Sequence, residues 1–173
     1  SVKMELSERP KPEIPATIDD LVAKMTEANA TAVRELRELV ADVPEELLSQ
    51  RPEPGEWSVN EVLSHLIWSE THSQVFAWAV YGGDDYVPWP ANNPMHLAKA
   101  LAVYPTSGEL LDELERNMKS SVAMVRTISE EFTENRANYA VIASNWNGSL
   151  QHIQTHHNQI KNAIEAAKAM AVG

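Results

Sequence analysis

Apolar residues recur every three or four positions along long segments of this chain, and that spacing constrains the fold more than any other feature. The first such segment starts after Thr17, is limited by Pro44, and has apolar residues at Ile18, Leu21, Val22, Met25, Ala28, Ala32, Val33, Leu36, Leu39, Val40 and Val43. This spacing places apolar side chains on one face of an amphipathic helix, which is buried against other helices. Because four long segments share the pattern and strand signals are few, the sequence predicts an all-α four-helix bundle.

The second long helix has an unusually complete start signal. Ser58 and Glu61 have the spacing of a capping box, and Trp57 and Val62 occupy the hydrophobic-staple positions around it. A glycine pair at positions 82 and 83 is typical of a helix end. The sequence therefore predicts a helix that begins just after Ser58 and ends near residue 82.

The remaining long helices are predicted in the second half of the chain. Thr106 and Glu109 form a second capping-box pattern, and the apolar spacing that follows continues to Phe132. The last helix is predicted from about Gly148 to Met170. Residues 133–146 are predicted as a loop, with a short strand or helical turn at 139–143 as the alternative.

The other segments are predicted as connections. Prolines concentrate before residue 16, around 44–54 and around 88–105, where they interrupt regular structure. We therefore expect an extended or mobile lead-in at residues 1–15 and a loop at 83–93. Short extra helical segments are predicted at 45–48 and 94–103.

Length and hydropathy limit the organisation and the location of the protein. A chain of 173 residues is most simply a single domain over residues 1–173. No apolar run approaches the roughly 20 residues that cross a bilayer as a helix, and residues 1–7 lack the apolar core of a secretory signal. The sequence predicts a cytoplasmic protein without a membrane partner.

Charge and cysteine content exclude several functions. The formal net charge is −11, and no cluster of Lys and Arg interrupts it, so a nucleic-acid partner is not expected. The chain has no cysteine, which excludes disulfides, cysteine-ligated zinc and a cysteine nucleophile. Any thiol chemistry therefore needs a thiol from a co-substrate.

Three histidines have the arrangement of a metal site. His152 and His156 lie four residues apart in the last predicted helix, so their side chains share one face and can chelate one ion. His65 lies shortly after the capped start of the second helix, where a neighbouring helix can approach it. Three histidine ligands leave an open coordination position, as catalytic sites require. Taken singly, each of these histidines could instead be an ordinary core or surface residue.

Several neighbouring residues are candidates for the surroundings of this site. His157 is turned about 100° from His156, so it is either a hydrogen-bonded core or boundary histidine or a residue that supports the ligands. Gln159 lies on the ligand face and either orients a ligand or substrate or is solvated. The other candidates, each with an alternative role, are Glu61 (helix cap or carboxylate), Trp68 (core or pocket wall) and His72 (pocket lining or surface).

The segments Trp57-Ser58-Val59-Asn60-Glu61-Val62-Leu63-Ser64-His65-Leu66 and His152-Ile153-Gln154-Thr155-His156-His157-Asn158-Gln159-Ile160 together resemble the DinB-like superfamily, also called the YfiT-like metal-dependent hydrolases. The resemblance covers nearly the whole chain and implies an up-down-down-up bundle. It also implies that His65, His152 and His156 are metal ligands and that Gln159 matches a glutamine often found after the last ligand. The family often has histidine immediately before that ligand, whereas this chain has Thr155 there and His157 after it.

The resemblance also implies a class of function. Relatives include bacillithiol-dependent transferases and the metal-binding part of mycothiol-dependent maleylpyruvate isomerase. The expectation is an enzyme that acts on small-molecule substrates as a thiol-dependent S-transferase or a hydrolase. Its cofactors would be a divalent ion, Zn2+ or Ni2+, and a low-molecular-weight thiol. The alternative is a non-catalytic, stress-related bundle that binds a metal or another ligand. Dimers are common in the family, which gives a weak reason to expect a homodimer.

Overall fold

The computed structural model describes residues 13–88 and 94–172, and every regular element within them is a helix. This confirms the all-α prediction. The helices are α1 (Ile18–Val40), α2 (Glu45–Leu48), α3 (Val59–Gly82), α4 (Pro94–Val103), α5 (Ser107–Arg126), α6 (Glu130–Glu134) and α7 (Arg136–Val172). Most of the predicted lead-in and residues 89–93 of the predicted loop at 83–93 lie outside the described residues. None of the described helices combines the length and the apolar character that crossing a membrane requires.

The two predicted capping boxes are confirmed in atomic detail. The Ser58 hydroxyl accepts a hydrogen bond from the Glu61 backbone N–H at 3.1 Å, and the Glu61 carboxylate accepts one from the Ser58 N–H at 3.0 Å. Thr106 and Glu109 form the same reciprocal pair at the start of α5. Gly83 ends α3 with a φ of 71°, a left-handed conformation that glycine adopts without steric cost. The cap at Ser58 fixes where α3 begins and therefore where His65 lies along the bundle.

The structure corrects two predicted boundaries. α5 ends at Arg126, and a separate short helix, α6, contains Phe132. The last helix starts at Arg136 rather than near Gly148, so residues 136–146 of the segment predicted as a loop form its first three turns. Tyr139 and Trp146 are buried there, because this extension packs against α1 and α6. Of the two alternatives for residues 139–143, the helical one is correct and the strand is wrong.

The four long helices enclose the core. α3 packs against both α5 and α7, and α1 packs against the same two helices, while α4 lies against α3. The order up-down-down-up stays a prediction from the resemblance. Buried apolar side chains form two clusters, one that includes Leu63, Leu114 and Ile160 and a second that includes Met25 and Trp146. The histidine-bearing part of α3 belongs to the first cluster.

Candidate metal centre

The structure brings together three histidines that are far apart in the sequence. His65 lies on α3, and His152 and His156 lie one turn apart on α7. Each offers one ring nitrogen to a common point, and the three nitrogens lie within 4.8 Å of one another. The capped start of α3 fixes the position of His65, and the contact between α3 and α7 brings its ring to those of His152 and His156.

The spacing of the ring nitrogens suits a small cation. Nε2 of His65 lies 3.4 Å from Nε2 of His152, which in turn lies 2.8 Å from Nε2 of His156. Ligand nitrogens around tetrahedral zinc are about 3.3 Å apart, because each Zn–N bond is about 2.0 to 2.1 Å. The first distance fits directly, and a small ring rotation would bring the second to the same value. The donor set therefore fits a divalent ion bound by three imidazoles.

The environment keeps two of these histidines neutral. Burial, together with the neighbouring His156 and His152 rings, lowers the pKa of His65 to about 4. Burial and the His156 ring also lower the pKa of His152. A neutral imidazole has a lone pair free for a cation, whereas a protonated one does not. At neutral pH, the folded protein therefore presents His65 and His152 in the form that metal binding requires.

Gln159 determines which nitrogen of His156 faces the site. Its side-chain oxygen lies 2.6 Å from Nδ1 of His156. An amide oxygen only accepts hydrogen bonds, so Nδ1 carries the proton and Nε2 carries the lone pair. Of the two roles expected for Gln159, the structure therefore favours the orientation of a ligand over simple solvation.

Aromatic rings surround His65. Trp57 lies at a tilt with its ring centroid 4.9 Å from that of His65, and Trp68 stacks on His65 at 5.6 Å. His72 stacks on Trp68 at 5.0 Å and is hydrogen-bonded to the Tyr86 hydroxyl. Two of the predicted candidates, Trp68 and His72, therefore continue from His65 as successive stacked rings along α3. The structure brings Trp68 to the ligand and leaves His72 one ring away, and burial lowers the pKa of His72.

Glu61 does not face the three nitrogens. Its two carboxylate oxygens accept hydrogen bonds from the Arg51 guanidinium at 2.9 and 2.7 Å, and one of them also caps α3. Burial acts to raise the pKa of Glu61, but the hydrogen bonds from Arg51 and Ser58 hold that pKa below its ordinary value. The carboxylate is thus ionised and already paired. Of the two roles considered for Glu61, this arrangement corresponds to the helix cap. Nothing in the sequence signalled Arg51 as its partner.

His157 lies away from the other three histidines. It lines a groove of about 370 Å³ between α1 and α7, beside Leu36 and Ile153. Its buried Nδ1 has no hydrogen-bond partner among the described residues, so the predicted hydrogen-bonded role is not seen. His156 rather than His157 lies in the cluster, which agrees with the helix-face argument.

A cavity of about 610 Å³ adjoins the histidine cluster. Its walls include Trp57, which packs on His65, and Gln159, which holds His156. Sequence reasoning missed Asn162, which also lines this cavity. Its position three residues after Gln159 on α7 was an available signal, because such residues share a helix face. The arrangement provides room for a small molecule beside a cluster of histidines that could hold a cation.

Comparison with known proteins agrees with this arrangement. A family model described as the DinB superfamily matches residues 28–160, a range that includes all three histidines and Gln159. Neither the curated proteins nor the solved structures contain a match to the chain.

Proposed function

This chain belongs to the DinB superfamily, and we propose that it is a metal-dependent enzyme that acts on small molecules as a thiol-dependent S-transferase or a hydrolase. In this proposal His65, His152 and His156 bind one Zn2+ or Ni2+ ion. The observation that carries it is the convergence of three ring nitrogens, from two separate helices, within 4.8 Å. Matching of the family model over the same histidines supports it independently.

The chemistry follows from the ligand set. Three neutral imidazoles carry no charge that would neutralise a divalent ion. Such an ion, when bound, would act as a Lewis acid and favour the deprotonated form of a water or a thiol. The chain itself contains no thiol. A transferase reaction therefore needs a low-molecular-weight thiol, whereas a hydrolase reaction needs only water.

The residues around the cluster would position the reactants. Gln159 holds His156 in the tautomer that binds a cation, and its NH2 group remains available to a molecule in the adjoining cavity. Trp57 packs against His65 and also forms a wall of that cavity. These two side chains would orient a substrate toward the ring nitrogens.

Metal analysis tests the proposal first. Protein purified without a histidine tag, reconstituted with Zn2+ or Ni2+ and freed of excess ion should hold about one ion per chain. His156→Ala should lose tight binding, whereas His157→Ala, one residue away on another face, should keep it. Less than about a tenth of an equivalent in the unaltered protein would sink the metal assignment. Equal behaviour of the two variants would show that the ligand choice is wrong.

Turnover separates the two reactions. The metal-loaded protein is incubated with an electrophile and a panel of low-molecular-weight thiols, and the remaining free thiol is measured over time. Metal-dependent thiol consumption that His65→Ala abolishes would support the transferase. If only ester or amide substrates without a thiol are consumed, the enzyme is a hydrolase. Stoichiometric metal binding with no turnover of either kind would instead indicate a metal-binding bundle without catalysis.

A further inference from the structure

A layer of polar side chains separates the two apolar clusters inside the bundle. On α3, Glu70 and Ser73 lie between Ile67 of the first cluster and Ala77 of the second. Ser121 lies between the two clusters on α5 and Ser149 on α7; we call Glu70, Ser73, Gln74, Ser121 and Ser149 the polar layer. Burying polar groups in a core costs free energy unless they are paired, so such a layer calls for an explanation.

Glu70 is the ionisable member of this layer. It is 4% exposed, and one of its carboxyl oxygens accepts a hydrogen bond from the Ser121 hydroxyl at 2.6 Å. The Gln74 amide in turn donates to Ser121 at 3.0 Å, so these donors are aligned toward the carboxyl. A row of donors suits an ionised carboxylate, which accepts hydrogen bonds and donates none.

No cation in the described ranges balances that charge. Burial raises the pKa of Glu70, and the opposing causes are neutral: the Ser121 hydroxyl, which is hydrogen-bonded to the carboxyl, and the Trp146 indole, whose Nε1 lies nearby without hydrogen-bonding geometry. From α3, α5 and α7 alike, no charged side chain within those ranges contributes to its pKa. Glu61, the other buried carboxylate among the described residues, is already paired with Arg51. Glu70 therefore has the donors of a carboxylate without its counter-ion.

The histidine cluster lies next to this layer. Glu70 is five residues beyond His65 on α3, which is about 7.5 Å along the axis and about 140° around it at 3.6 residues per turn, so the two side chains leave different faces of the helix and interact only through the interior. The Ser73 and Ser149 hydroxyls are 2.9 Å apart and join α3 to α7, and Ser149 lies three residues before His152. Ser69, one turn beyond His65, has a buried hydroxyl with no partner among the described residues. Polar groups on α3 and α7 thus lie along the helices between the level of the ligands and the level of the polar layer.

We propose that Glu70 is the buried counter-charge of the three-histidine centre, and that its carboxyl gives up its proton when a divalent cation is bound there. This inference rests on the proposed metal site. The O–H bond of the carboxylic acid breaks, its electron pair stays on the carboxylate, and the proton leaves to solvent. A buried cation and carboxylate attract each other with little screening by salt, so each stabilises the charged form of the other. By linkage, ionised Glu70 must strengthen cation binding as much as the cation favours its ionisation.

Proton release on metal binding tests this role directly. Zn2+ is titrated into the metal-free protein by calorimetry, in buffers of different ionisation enthalpy, at several values between about pH 5 and 8, because metal binding displaces protons from ionisable groups. E70Q keeps the shape of the side chain and an oxygen that accepts from Ser121. E165Q, which removes an exposed carboxylate on α7, is the matched control.

The expected result is a difference between the variants that depends on pH. At the acidic end, the unaltered protein and E165Q should release up to about one proton more per ion than E70Q, because E70Q has no carboxyl proton to release at this position. All three proteins release the protons displaced from the histidines, so those protons cancel in the comparison. At the alkaline end, Glu70 is already ionised, so the difference in proton release should vanish. There E70Q should bind Zn2+ roughly 10- to 100-fold more weakly, since it lacks the counter-charge.

Ser121→Ala provides a second, independent variant. It removes a donor that favours the ionised form, so the extra proton release should persist and move to higher pH. Equal proton release by the unaltered protein and E70Q at every pH, with one ion bound to each, would overturn the counter-charge and leave the metal site intact. A loss of affinity in E165Q as large as that in E70Q would also overturn it. Failure of the unaltered protein to bind any ion would refute both proposals.

Discussion

The side-chain oxygen of Gln159 lies 2.6 Å from Nδ1 of His156, one turn before it on α7. This contact places the imidazole proton on Nδ1 and directs Nε2 toward His152, 2.8 Å away. Residues that hold a ligand in the correct tautomer contribute to metal affinity without touching the ion. Gln159 is therefore positioned to affect binding through His156.

Replacement of Gln159 should weaken metal binding while leaving the ligands in place. Gln159→Ala should reduce Zn2+ affinity by about 10- to 100-fold, because the His156 ring would lose its fixed orientation. Competition with a chelator of known affinity measures the change. Gln154→Ala, an exposed glutamine on the same helix, is the control and should bind as the unaltered protein does. If both variants bind equally well, Gln159 does not orient His156.

Stability of the metal-free protein should fall as the pH is lowered from about 6.5 to 4. The folded state holds the pKa of His65 at about 4, whereas the unfolded chain takes up this proton near 6.5. The unfolded state therefore binds more protons in this window, and acid favours unfolding by at most about 3 kcal/mol from His65. His152, whose pKa is lowered in the same direction, adds to the effect.

Urea unfolding of the metal-free protein at several pH values measures this dependence. His65→Gln should flatten the profile between pH 4 and 6.5, because the variant has no proton to take up at this position. His157→Gln, outside the cluster, should retain the slope of the unaltered protein. A slope in His65→Gln that equals that of the unaltered protein would show that burial of His65 does not control acid stability.

Glu70 should have the opposite effect on stability. Burial raises the pKa of Glu70 in the folded protein, so the folded state binds more protons than the unfolded state once the pH exceeds the ordinary pKa of a glutamate. The stability that depends on protonated Glu70 is complete below that ordinary pKa and is lost as the pH rises through the pKa of the folded state. E70Q without metal should therefore unfold at higher urea than the unaltered protein at alkaline pH, and the advantage should disappear in acid. A constant difference across the range would argue against titration of Glu70.

The sequence predicted the parts of the site that depend on local pattern. A capping box needs only two residues three apart, so the starts of α3 and α5 followed from Ser58 and Thr106. The shared face of His152 and His156 followed from helix geometry alone. His65 was proposed from its place shortly after the capped start of α3 and again from the resemblance to one family, and the structure brings it within hydrogen-bonding distance of His152.

Features that depend on tertiary contacts could not be predicted. The pattern of residues 139–143 left a short strand and a helical turn open, and the packing of this segment against α1 and α6 favours the helix. Glu70 looks like any glutamate in a helix, because its burial is decided by where α5 and α7 lie. Likewise, the salt bridge between Arg51 and Glu61 links the segment between α2 and α3 to α3 itself. No regular sequence spacing predicts such a pair.

The two capping boxes offer a matched comparison of burial. Ser58→Ala removes the acceptor for the Glu61 N–H in a buried environment, whereas Thr106→Ala removes the acceptor for the Glu109 N–H where solvent reaches it. Water can replace the lost hydroxyl at Thr106 but not at Ser58. The Glu109 N–H therefore keeps a hydrogen-bond partner in Thr106→Ala, whereas the Glu61 N–H has none in Ser58→Ala. We expect Ser58→Ala to lower the free energy of unfolding by about 2 kcal/mol and Thr106→Ala by about 0.5 to 1 kcal/mol. Urea midpoints at a common slope measure both losses, and a larger loss in Thr106→Ala would show that burial does not determine the strength of the cap at α3.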